Sequence, residues 1–119
     1  MTKQLLIYER AVAVNPKRHR DWSVAAGRSY AFARGLNAAP LVAAEFLPAS
    51  REFAIVFAGE GDAIMPSVIF GIRDDENSFV EEDGSWAGRY VPAFLRRYPF
   101  VFSRSQDGAS FTLCIDEEF

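Results

Sequence analysis

Two adjacent guanidinium groups, Arg96 and Arg97, stand before Tyr98-Pro99, with Trp86, Arg89 and Tyr90 a few residues upstream. Arginine forks bind carboxylates and phosphates in bidentate fashion, and aromatic rings stack on a ligand. The same pair can instead meet the chain's own acids, Asp116, Glu117, Glu118 or Glu45, and so pin a short helix to the last strand. Internal pairing is the favoured reading of the two. Glu45 lies in an otherwise apolar run, Leu41-Val42-Ala43-Ala44-Glu45-Phe46. A buried carboxylate must be paired or protonated, and without a second positioned carboxylate a structural ion pair is the simpler role. Trp86, Arg89, Tyr90, Arg96, Arg97, Glu45 and Asp116 therefore form the candidate ligand or ion-pair site.

Other reactive types are sparse. His19 is the one histidine, set in the basic run Lys17-Arg18-His19-Arg20, where neighbouring charge discourages metal binding and a surface position is expected. Cys114 is the one cysteine, so no internal disulfide or Cys-based zinc site can form, and a buried inert thiol is expected. The acidic runs Asp74-Asp75-Glu76-Asn77 and Glu81-Glu82-Asp83-Gly84 lack the ligand spacing of a calcium loop and read as turns. Gly59 and Gly61 lack the third glycine and helix start of a phosphate cradle. No serine sits in a Gly-x-Ser-x-Gly elbow. The expectation is no catalytic residue, no metal and no cofactor.

The elements that position these groups sharpen after Pro40. Leu41–Phe46 reads as a strand, and Pro48 as the first residue of a helix over about 48–53. Ala54–Ala58 is a continuous apolar strand of the kind covered on both faces, with Val68–Ile72 its partner across a Gly59-Glu60-Gly61-Asp62 turn. Ser78–Val80 reads as a short strand. Val91, Phe94, Leu95 and Tyr98 make the apolar stripe of a helix over about 91–98, ended by Pro99. Asp107-Gly108 joins two strands, Phe100–Arg104 and Ser110–Ile115, in a hairpin. Ser23–Leu36 leans extended. The fold class predicted is α+β, a mainly antiparallel sheet with two short helices and an extended N-terminal segment.

The 119 residues form one expected domain, large enough for a core without disulfides. Charge divides unevenly. Residues 1–34 hold seven basic groups against Glu9 and Asp21, a basic arm of +5, and the remainder carries −8. The opposite charge within the same chain favours an arm that lies on its own acidic body, so no nucleic-acid partner is expected. No run approaches a membrane span, and Met1–Arg10 does not read as an export signal.

One stretch carries a family likeness. Asn77-Ser78-Phe79-Val80, Asp83-Gly84-Ser85-Trp86 and Arg89-Tyr90-Val91-Pro92-Ala93-Phe94-Leu95-Arg96-Arg97-Tyr98-Pro99-Phe100 resemble the SapC family of bacterial proteins. Pro40 through Glu45-Phe46, Ala54-Ile55-Val56-Phe57 and Cys114-Ile115-Asp116-Glu117 extend the resemblance from about Tyr8 to the end. It implies association with a bacterial surface layer, and no known reaction, cofactor or catalytic residue. The chain resembles the first part of a longer family pattern or a short member.

The expected function is a non-catalytic structural or binding protein, with a protein partner or self-association through strand edges. The alternatives are an intracellular accessory protein binding a small anionic or peptide ligand, and part of an enzyme whose catalytic region lies elsewhere. The lack of an export signal points to the cytoplasm, and the resemblance to the cell surface.

Overall fold

The computed structural model describes residues 7–25 and 29–119. Lys3 and Arg28 of the basic arm, and residues 26–28 of the Ser23–Leu36 segment, lie outside the described residues. In chain order the strands are β1 (Ala11–Ala13), β2 (Ala38–Pro40), β3 (Ala54–Ala58), β4 (Met65–Ile69), β5 (Phe100–Arg104) and β6 (Phe111–Asp116). Two short helices are α1 (Phe46–Ser50) and α2 (Ala93–Arg96). The chain divides into two compact units, the contiguous Gly27–Arg96 and a second made of Met1–Ala26 with Arg97–Phe119. Each holds an antiparallel three-stranded sheet, so the fold is mainly antiparallel α+β as its pattern predicts.

In the contiguous unit the strand order is β2-β4-β3. Ala54 opposes Ile69, Val56 opposes Ser67 and Phe57 opposes Pro66. Leu41 N–H donates to the Pro66 carbonyl at 3.0 Å, and Phe70 N–H to the Asn37 carbonyl at 2.7 Å. Backbone polar groups alternate sides along a strand. Pro66, Val68 and Phe70 therefore turn theirs toward the β2 side, and Met65, Ser67 and Ile69 toward β3. Pro66 fits this central strand because its carbonyl, which it keeps, is the group that Leu41 uses.

Aromatic rings fill this unit. Phe53 and Phe79 lie 4.7 Å apart, Trp86 stacks on Phe79 at 5.4 Å, and Phe70 meets Trp86 edge-on at 5.4 Å. Offset and edge-to-face pairs each add about 0.5–1.5 kcal/mol beyond the area they bury. The Trp86 indole N–H donates to the Tyr90 carbonyl at 2.9 Å, which satisfies the ring's one polar atom. Buried Asn77 donates to the Ala33 carbonyl and accepts from Phe79 N–H, holding the loop that carries Phe79.

The discontinuous unit orders its strands β1-β6-β5. Gly108, at φ +72°, supplies the left-handed residue that turns the β5–β6 hairpin predicted from Asp107-Gly108. Val101, Cys114 and Asp116 are buried, whereas Phe102, Phe111 and Leu113 stand exposed on the opposite side. The tyrosine hydroxyl of Tyr8 donates to the Phe100 carbonyl at 2.7 Å.

Several local expectations are corrected. Leu41–Phe46 is not a strand: Ala43–Glu45 is a 3-10 turn, and α1 begins at Phe46, two residues before Pro48. The Glu45 carboxylate accepts Val42 N–H and closes that turn. β4 starts at Met65 instead of Val68, and α2 spans Ala93–Arg96 instead of 91–98. Pro92 delays the helix, and its carbonyl accepts the N–H groups of Leu95 and Arg96. Ser78–Val80 is a turn that ends in a single bridge from Val80 to Trp86. Within Ser23–Leu36, Ala31–Ala33 forms a 3-10 turn. β3 is not covered on both faces: it is an edge strand, with Val56 and Phe57 exposed.

Candidate functional site

Five of the seven predicted site residues lie in the contiguous unit, and two of them, Tyr90 and Arg96, meet a third, Glu45. Its Oε1 accepts the Tyr90 hydroxyl at 2.6 Å and Ala93 N–H at 2.7 Å, and its Oε2 accepts Val42 N–H at 3.1 Å. Ala93 opens α2, where free N–H groups favour a carboxylate. Arg96, on the same short helix, holds its Nη2 3.9 Å from Glu45 Oε1 and its guanidinium 5.7 Å from the Tyr90 ring centre. Burial pushes the Glu45 carboxyl up. Hydrogen bonds from Tyr90, Ala93 and Val42, with the Arg96 charge, outweigh that and hold it below the usual carboxylate range. Burial and the same carboxylate push the Tyr90 hydroxyl up.

Trp86 belongs to the aromatic core, and Arg89 is exposed. A residue that sequence reasoning missed, Glu52, fixes the Arg89-Tyr90 backbone: its two oxygens accept their N–H groups at 2.6 and 2.7 Å. Nothing in the residue's own surroundings marks that role, since its partners lie 37 and 38 positions on.

Arg97 and Asp116 belong to the discontinuous unit. Asp116 is wholly buried, and its oxygens accept N–H groups from Glu9 (2.9 Å), Arg10 (3.0 Å) and Glu118 (3.0 Å) and the Tyr98 hydroxyl (3.3 Å). Burial raises this carboxyl, and the three backbone donors with Tyr98 bring it below its ordinary value. Tyr98 is pushed well up by burial and by Asp116. Arg97 acts on Tyr8, whose hydroxyl burial raises and the guanidinium draws back.

Glu117, one of the acids offered to Arg96 and Arg97, is a second centre, with partners the sequence did not indicate. Its side chain is 1% exposed and receives Arg10 at 2.6 Å, Arg18 at 2.6 Å and the His19 Nε2 at 3.0 Å. These partners, led by Arg18 and His19, hold its carboxyl at about 2. His19, expected at the surface, is half-buried, with its ring shielded against Glu117. Its Nδ1 accepts Asn15 N–H at 2.9 Å, which fixes the Nε2–H tautomer that faces Glu117.

The chemistry these arrangements support is cross-bracing. Both His19 ring nitrogens are engaged by Asn15 and Glu117, and the buried Cys114 thiol faces the Thr112 carbonyl at 3.7 Å. An open depression of about 520 Å³ is lined by Glu81, Glu82, Asp83 and Ser85, and Asp83 spends its Oδ1 on the Ser85 N–H and hydroxyl. Among the described residues no group of three or more His, Cys, Asp or Glu side chains is arranged to hold a metal ion. Nor is any described helix long and apolar enough to cross a membrane.

The family model for SapC matches residues 14–119. No curated protein and no solved structure matches the chain.

Proposed function

The chain belongs to the SapC family, and from that premise we propose that it is a non-catalytic structural or binding protein associated with a bacterial surface layer. The observation that carries this reading is how the polar groups are used. Glu45, Glu52, Asp116 and Glu117 all spend their oxygens on the chain's own N–H, hydroxyl and cationic groups. Large apolar side chains, by contrast, face outward on both sheets, Phe102 and Phe111 on one and Phe57 on the other. Such a surface suits contact with another macromolecule better than capture of a small polar substrate.

The competing reading places an anionic ligand at Arg89, Tyr90 and Arg96. The Glu45 carboxylate beside Arg96 already supplies the negative charge such a ligand would bring, and this weighs against it. Protease treatment of intact bacterial cells, followed by detection of the protein, tests the proposal. Digestion at the exterior is the expected result. A protein protected on intact cells and recovered wholly in the cytosolic fraction overturns it.

A further inference from the structure

β3 is an edge strand, and among the described residues it pairs with β4 alone. Which of its backbone groups face outward follows from its register. Because Pro66 and Val68 turn their polar groups toward β2, their opposites on β3, Phe57 and Ile55, are non-hydrogen-bonded partners. The N–H and C=O of Ile55 and Phe57 therefore point away from the sheet. Ala54, Val56 and Ala58 point theirs inward, to β4.

That spacing is self-complementary. An antiparallel second copy of β3, related by a two-fold axis through Val56, sets Ile55 opposite Phe57 and Phe57 opposite Ile55. Both pairs bring outward N–H and C=O groups face to face, so four backbone hydrogen bonds form with no change of register. Val56 meets Val56 on the axis, and Ala54 meets Ala58. Aromatic and β-branched side chains are favourable cross-strand pairs, and the strand carries no charge, proline or bulge of the kind that blocks edge pairing.

The surface beside the strand is apolar. Val56 is 38% exposed, Phe57 66%, Ile64 52% and Met65 53%. Val56 and Met65 lie on one face of the sheet and Phe57 on the other, so pairing at the edge buries mainly strand backbone between apolar flanks, a small interface of the kind that dissociates readily. Gly59, at φ +120°, turns the chain off the end of β3, where an added Cβ would run into the Ala63 carbonyl oxygen. The strand thus ends cleanly beyond Ala58.

We propose that the chain forms a reversible two-fold dimer by antiparallel pairing of β3 with β3 of a second copy, centred on Val56. This rests on the reading of the protein as an assembly or binding module, and names its partner as itself.

Sedimentation of the 119-residue chain across a wide concentration range tests it. The expected result is a monomer–dimer equilibrium, weakened at least about tenfold by Val56→Lys, which sets two ammonium groups together on the axis. Val56→Cys provides a second readout that survives if the lysine variant fails to fold. Directly opposed residues of a non-hydrogen-bonded pair lie ~4.5 Å apart at Cα, within disulfide reach. Mild oxidation should convert Val56→Cys to a covalent dimer and leave Ala58→Cys, which meets Ala54, largely uncoupled. A chain monomeric at every concentration, or Ala58→Cys coupling as readily as Val56→Cys, overturns the dimer. A monomeric chain at the cell exterior would defeat this inference alone, whereas a β3-paired dimer confined to the cytosol would defeat the surface-layer reading alone.

Discussion

The Tyr90 hydroxyl donates a 2.6 Å hydrogen bond to Glu45 across 45 residues of chain, and Ala93 N–H reaches the same oxygen at 2.7 Å. One carboxylate therefore joins the turn before α1 to the start of α2. Glu45→Ala leaves three donors facing a lost acceptor, and is expected to cost about 3 kcal/mol. Tyr90→Phe removes a single donor and should cost about 1–2 kcal/mol. Urea unfolding of both variants and of the double variant measures this. The double variant should lose less than the sum, because the two groups share one contact.

Acid stability follows from carboxyls that titrate lower in the fold than in the unfolded chain, among them Glu45, Asp116 and Glu117, the last at about 2. A depressed folded value means that the stabilisation is complete above the unfolded carboxylate range, near pH 4, and is withdrawn as pH falls through the folded values. Unfolding curves should be flat from neutral pH to about 5 and then decline steadily toward pH 2. Asp116→Asn should be less stable at neutral pH and show a shallower acid decline. An unchanged slope would remove Asp116 from the account.

Cys114 is buried, with its thiol toward the Thr112 carbonyl. A thiol reagent should react slowly with the native protein and at the rate of a free thiol in urea. Fast labelling without denaturant would contradict the packing of that side of β6.

Two phenylalanines make a matched comparison. Phe70 is 2% exposed within the aromatic cluster, whereas Phe102 lies on an uncovered sheet face. Phe70→Ala should cost about 3–5 kcal/mol, and Phe102→Ala should stay within about 0.5 kcal/mol. Thermal or urea melts separate the two directly.

Legibility from sequence tracked the range of the interaction. The Asp107-Gly108 hairpin was readable because its turn chemistry and strand alternation are local. β3 was readable as a strand, but not as an exposed edge, since neighbour number depends on where β4 and β2 come to lie. Leu41–Phe46 misled because its apolar run resembles a strand until Glu45 is seen to close a turn onto Val42. His19 misled for a similar reason. The surrounding basic residues suggest solvent, and the acid that draws the ring inward is Glu117, 98 positions away. The tandem arginines were legible as a pair, yet they divide between different partners, Glu45 and Tyr90 for Arg96 and Tyr8 for Arg97.

The pairing of β1 with β6 has a consequence for biosynthesis. Ala11–Ala13 leaves the ribosome before residues 27–96, and its mate, Ala13 against Cys114 and Ala11 against Asp116, leaves after them. Gly27–Arg96 lies wholly between them and can complete its own sheet during translation. β1 must then wait without its partner until β6 is released, and a ribosome stalled before Phe111 would hold one finished unit and one that cannot close.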